Sequence, residues 1–184
     1  MGELLLLSAR KGLLSDLDFL IWVDLKNEGY TVKEEIQMTH NELQQHKNKI
    51  ASFLEDEDKG VFIFEDELQE VPVAVIMFGV RHLNITYNYE IFNELDRDLF
   101  PSDGRFMDIF QLWVDSRYRR KGLAKELKKK VEEEAIKQHI GLVYTHTEET
   151  NAIVLKLNEQ LGYREVRRGT IWDEVVRVSL IKKL

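Results

Sequence analysis

The stretch Leu112-Trp113-Val114-Asp115-Ser116-Arg117-Tyr118-Arg119-Arg120-Lys121-Gly122-Leu123-Ala124 reads as a strand end running into a helix start, and the rest of the chain can be organised around it. Three apolar residues give way to a basic turn. After Gly122, the residues Leu123, Leu127, Val131 and Ala135 recur at the i+4 spacing of one helix face. The first N–H groups of a helix lack intrahelical partners and carry the positive end of its dipole. Arg119, Arg120 and Lys121 add positive field, and Gly122 lets a ligand approach the backbone. The junction is therefore expected to suit an anion such as a pyrophosphate. A solvated basic helix start is the other reading of the same residues.

Working upstream, Met107 to Val114 is the strand that feeds this turn. Residues 83–105 are too long for a hairpin loop, and Ile91, Phe92, Leu95 and Leu99 keep helical spacing up to Pro101-Ser102-Asp103-Gly104, which predicts a helical excursion. Because it also carries Tyr87, Tyr89 and Phe92, this excursion is expected to wall or cover an acceptor site. Val61–Phe64 and Val73–Val80 read as an antiparallel pair. Thr39-His40-Asn41-Glu42 matches a capping box, with Leu43, Ile50 and Leu54 along the helix behind it. An earlier helix is expected with Ser15 as N-cap and with Leu17, Leu20, Ile21 and Leu25 on one face, ending at Gly29. Leu4–Leu7 reads as a short strand ended by the polar Ser8–Gly12 stretch.

Downstream, Leu142–Tyr144 is a strand, and Ile153, Leu157 and Leu161 mark a helix closed by Gly162. Trp172–Ile181 reads as the last strand. Residues 1–184 are expected to form one α/β domain.

Composition limits the chemistry. The 184 residues are 43% apolar with two prolines, which suits a packed globular chain and not a disordered one. The formal net charge of -7 argues against a nucleic-acid partner. With no cysteine there is no thiolate catalysis and no disulfide framework, and no metal site is expected from the scattered His40, His46, His82 and His139. Leu4–Leu7 is far too short for a signal h-region, and no apolar run approaches the roughly 20 residues of a membrane span. A cytoplasmic location with no membrane partner is the expectation. The G-x-S-x-G, H-E-x-x-H, P-loop and G-x-G-x-x-G motifs are all absent from the sequence.

Arg119-Arg120-Lys121-Gly122-Leu123-Ala124 resembles the acyl-CoA signature Q/R-x-x-G-x-G/A of the GCN5-related N-acetyltransferase (GNAT) family, placed after a strand as in that family. Asn151-Ala152, opening a helix that closes in Leu161-Gly162-Tyr163, is similar to the family's second motif. Ser116 stands where the family often has Pro, and Arg120 where Gly is frequent. The resemblance implies a mixed, largely antiparallel central sheet with helices on both faces. It also implies acetyl-CoA as co-substrate and direct acetyl transfer to a primary amine of a small molecule or protein, without an acyl-enzyme. A degenerate acyl-CoA-binding sensor or structural module is the alternative, and a homodimer is left open.

Carried over residue by residue, the resemblance gives the backbone of Leu112, Trp113 and Val114 to the pantetheine, and Arg119, Arg120, Lys121, Gly122, Leu123 and Ala124 to the pyrophosphate. Asn151 and Asn158 complete the cofactor set, Asn158 standing where many members have Tyr as general acid. An amide cannot donate a proton usefully, which leaves Tyr144 and Tyr118 as unranked acids, or a thiolate that departs unaided. His146, five residues before Asn151, holds the place of a Glu base in some members; Asp108, Glu148 and Glu149 are alternatives.

Overall fold

The computed structural model describes residues 6–27, 29, 38–83 and 90–184, with the side chains of Glu90 and Asn93 excepted. Its strands are β1 (Leu7–Lys11), β2 (Lys59–Asp66), β3 (Val71–His82), β4 (Arg105–Val114), β5 (Leu142–Glu148), β6 (Arg164–Gly169) and β7 (Arg177–Lys183). Its described helices are α1 (Leu17–Asn27), α2 (His40–Glu55), α3 (Leu123–Lys137) and α4 (Ala152–Gln160). The strands form one mixed sheet in the order β1-β2-β3-β4-β5-β7-β6, with helices on both faces. Two compact units divide the chain: residues 1–78 with 111–127, and residues 79–110 with 128–184.

In the first unit β1 pairs antiparallel with β2, Ala9 opposite Phe64. The strand begins where the sequence reading ended it. Leu4 and Leu5 lie outside the described residues, and the polar Ser8–Lys11 segment forms strand because it is an edge, half-exposed, needing only one ladder partner. Ser15 is not the cap of α1. It lies inside a 3-10 turn, Leu14–Asp16, that leads into the helix, and the Asp16 carboxylate closes that turn by accepting from the Leu13 N–H at 2.8 Å and from the Arg10 guanidinium at 2.7 and 2.9 Å. These bonds hold Asp16 below the usual carboxylate range against the burial that opposes ionisation. The capping box at Thr39 and Glu42 forms as expected. The face of α2 that is buried, however, is His46, Ile50 and Phe53. His46 can sit there because Asp24 of α1 lies 2.9 Å from its Nε2.

In the second unit β5 pairs antiparallel with β7 along its whole length, His146 opposite Ser179 and Glu148 opposite Arg177, and β7 pairs with β6. The parallel ladder of β4 with β5 sets Met107 opposite Val143 and Asp108 opposite Tyr144. The expected last strand from Trp172 is corrected in two ways. β7 starts only at Arg177, and β6, whose alternating charges hid it, precedes a loop that contains Trp172.

The helical excursion is reduced to two 3-10 turns, Glu90–Asn93 and Arg97–Leu99, the second capped by Asp96. Its spacing reflects burial of Ile91, Phe92, Leu95 and Phe100 in one core cluster with Phe106, Leu142, Tyr144 and Ile181. Phe92 meets Tyr144 edge-on at 5.1 Å. The expected cover therefore packs as core over its described part, and Tyr87 and Tyr89 lie outside the described residues. In α4 the stripe is also shifted: Ile153 is exposed and Asn158 is buried.

Candidate active site

The strand-to-helix junction lies wholly in the first unit. Leu112, Trp113 and Val114 end β4, all half-buried. Asp115 then turns the chain: its N–H donates to the Val73 carbonyl at 2.9 Å, and its Oδ1 accepts from the Arg117 N–H at 2.9 Å, capping a 3-10 turn over Ser116–Tyr118. Ser116 is the first residue of that turn, where proline is equally at ease, which accounts for the departure from the family pattern. The buried Tyr118 anchors the turn by donating its hydroxyl to Asp66 Oδ2 at 2.6 Å, a bond that lowers the Asp66 pKa.

Beyond the turn, Arg119, Arg120, Lys121 and Gly122 are exposed. Arg120 and Gly122 both take positive φ, 63° and 83°, so the chain on either side of Lys121 is left-handed. For Arg120 this is a sparsely populated conformation costing of the order of 1–3 kcal/mol. A glycine would carry no such cost. A Cβ built at Gly122 meets nothing within 4 Å: the space in front of the backbone at the mouth of α3 is open. Leu123 is buried and Ala124 half-buried, fixing the helix start on its own core face. The Arg119 Nε–H donates to the Val114 carbonyl at 3.3 Å, closing the turn over the strand end.

The other proposed residues fall in the second unit. Asn151 caps α4, its Oδ1 accepting from Val154 N–H at 3.3 Å. Asn158 is 0% exposed, and neither polar atom of its amide has a hydrogen-bond partner among the described residues. Gly162, at φ 86°, ends the helix as the sequence motif suggested.

Tyr144 and His146, two residues apart on β5, share one face of the sheet. Tyr144 donates its hydroxyl to Ser179 Oγ at 3.0 Å, and burial pushes its pKa up. Both tyrosines weighed as acids thus have their hydroxyls buried and engaged. Half-buried His146 meets Trp172 edge-on at 5.2 Å and Tyr144 at 6.1 Å. Burial lowers its pKa; the Asp108 carboxylate works against this, while Arg177 and Arg81 reinforce it. Asp108 is bound through Oδ2 to Arg81 Nε at 2.6 Å, and its buried Oδ1 has no hydrogen-bond partner among the described residues. Glu149 is exposed and lies 3.3 Å from Arg168; Glu148 is exposed. Sequence reasoning missed Arg81, Trp172, Asp173 and Arg177. The i,i+4 spacing of Asp173 and Arg177 was a signal, lost because the segment was read as strand.

Among solved structures the chain resembles Arabidopsis thaliana NAA60 in complex with acetyl-CoA, with 16% identity, a TM-score of 0.72, and coverage of 97% of this chain and 99% of that one. It also resembles the ribosomal-protein-S18-alanine N-acetyltransferase of Escherichia coli, with 14% identity, a TM-score of 0.62, and coverage of 97% and 94%. A third is the spermidine/spermine N-acetyltransferase SpeG of Vibrio cholerae in mutant forms, with 16% identity, a TM-score of 0.61, and coverage of 97% and 95%. At these identities the likeness establishes the fold. No curated protein matches the sequence. The model of the acetyltransferase (GNAT) family matches residues 21–163, and the chain belongs to that family.

Proposed function

We propose that this protein transfers an acetyl group from acetyl-CoA to a primary amine, and the observation that carries the reading is the open, left-handed backbone turn ahead of α3. Helix-terminal N–H groups, the space at Gly122, and the exposed Arg119, Arg120 and Lys121 together fit a pyrophosphate. Acetyl-CoA supplies the acetyl thioester. The backbone groups of Leu112, Trp113 and Val114 hold its pantetheine arm, Leu123 and Ala124 hold the helix start in place, and Asn151 holds the opening of α4. The Asn158 amide, with no hydrogen-bond partner among the described residues, is assigned to the cofactor, whose approach must uncover it.

An alkyl ammonium, with a pKa near about 10.4, must lose a proton before its nitrogen can attack. His146 takes that proton: burial keeps the imidazole neutral at physiological pH, so its lone pair is available. The amine nitrogen then forms the C–N bond as the C–S bond breaks, the electron pair leaves on sulfur, and the second proton of the nitrogen passes to the departing thiolate. No side-chain acid is needed, because a thiol of pKa near about 8.5 leaves readily as its anion. Family relatives acting on protein termini and on polyamines make both acceptor classes reasonable probes.

The test is calorimetric titration with acetyl-CoA alongside acetyl transfer to spermidine, free amino acids and short peptides, read by product mass. Saturable binding with transfer to at least one amine is expected. Binding without transfer to any of them would favour the acyl-CoA-binding module over the enzyme, and no binding would remove both.

A further inference from the structure

The loop joining β6 to β7, residues 170–176, has no regular structure, yet its indole is held firmly. The guanidinium of Arg177 lies 4.1 Å from the centroid of the indole. Arg177 is itself grasped by Asp173 at 2.5 and 2.9 Å and donates to the Val175 carbonyl at 3.1 Å. Although 52% exposed, Trp172 is therefore locked by its own loop and not by core packing. What it presents to the rest of the unit is an edge-on contact with His146, the rings inclined at 72°.

We propose that Trp172 is a positioning residue for His146: locked by Asp173 and Arg177, the indole fixes the plane of the imidazole and closes part of it off from bulk water. The proposal rests on His146 being the base of the reaction above. A base must present its lone pair within about 3 Å of the proton it takes, and a ring free to turn about its side-chain torsions spends little time so aligned. Tyr144 supports the ring from its own strand, but at 6.1 Å and without a hydrogen bond to it. The charged groups that act on the imidazole are Asp108 from β4, Arg81 from β3 and Arg177 from β7. Trp172 adds no charge of its own, and Trp172→Phe, which keeps an aromatic face for Arg177, separates its effect from theirs.

The experiment uses the full chain with Trp172→Ala and Trp172→Phe, and follows the His146 Cε1–H signal by proton NMR across pH, assigned by its loss in His146→Ala. In Trp172→Ala the midpoint is expected to rise toward that of an ordinary histidine as water reaches the ring. The acid limb of kcat/KM should move with it, and kcat should fall about tenfold with KM for acetyl-CoA unchanged. Trp172→Phe, keeping an aromatic edge, should restore most of both. An unchanged His146 titration in Trp172→Ala overturns the proposal. A titration that moves while the pH–rate profile stays still would uphold the hold of Trp172 on His146 and overturn His146 as the base.

Discussion

The turn ahead of α3 and the surroundings of His146 solve opposite problems. In the first unit the working surface is backbone: Arg119, Arg120, Lys121 and Gly122 stand in solvent, and the space before Gly122 is open. In the second unit the working surface is side chains, each held by another, Asp108 by Arg81, Trp172 by Arg177, Arg177 by Asp173 and Tyr144 by Ser179. A backbone site is written in consecutive residues and survives changes that leave its N–H groups and the open space at Gly122 in place. A side-chain site is assembled from strands distant in sequence and tolerates little. The two should therefore fail differently when changed.

The largest effect is expected from Gly122→Glu. A side chain at φ 83° is strained, and here it would project a carboxylate into the open space the pyrophosphate needs. Acetyl-CoA binding should drop by roughly 100-fold or more in calorimetry, with the thermal midpoint lowered only by the few degrees that one strained residue costs, because nothing in the core is touched. Unchanged affinity in the folded variant would end the comparison on the cofactor side.

His146→Ala should come next, lowering kcat/KM by roughly 100-fold, the usual weight of a general base. The neutral ring is the active form, so the wild-type rate should rise with pH through the His146 midpoint. Because burial places that midpoint below the ordinary histidine range, the plateau should already be reached at neutral pH. The variant should lack this limb, and a pH–rate profile of both proteins checks it.

Asn158→Ala sharpens the contrast from within the second unit. It removes an amide that has no hydrogen-bond partner among the described residues, so acetyl-CoA affinity should fall about tenfold while kcat at saturation holds. A loss of kcat with affinity preserved would move Asn158 into the chemical step.

The last effect concerns stability and not function. Lys128 of α3 is buried, its ammonium 4.7 Å from the centroid of the Tyr163 ring with no hydrogen bond among the described residues, while Lys182 holds Glu132 at 2.5 Å. Burial lowers the Lys128 pKa to about 7, Glu132 pulling the other way and Lys182 adding to the fall. Between that value and the ordinary 10.5, the unfolded chain binds the extra proton, so stability should rise with pH across this window and be flat below it. Lys128→Met should abolish the slope and stabilise the protein at pH 7 by roughly 1–4 kcal/mol in urea melts, since a buried charge is replaced by a side chain of similar volume.

The sequence alone settled what local rules control. The helix face of Leu123, Leu127, Val131 and Ala135, the Thr39–Glu42 capping box, the Gly162 helix end and the basic turn at Arg119–Gly122 are all written in neighbouring residues, because helix periodicity, capping and chain reversal are short-range effects. Where burial departed from periodicity, the reading departed too. Ile91 and Phe92 in one short turn and Leu95 just after it keep helical spacing because a shared core, and not a helix, demands their burial. Polar Ser8–Lys11 is strand because β2 offers a ladder, and Ser15 falls inside a 3-10 turn that Asp16, held by Arg10, closes on the Leu13 N–H. Only the tertiary structure decided that Tyr118 and Tyr144 are engaged by Asp66 and Ser179, and that Trp172 leans on His146. Those partners lie tens of residues apart, and their meeting is fixed by strand order and register, which no local pattern encodes.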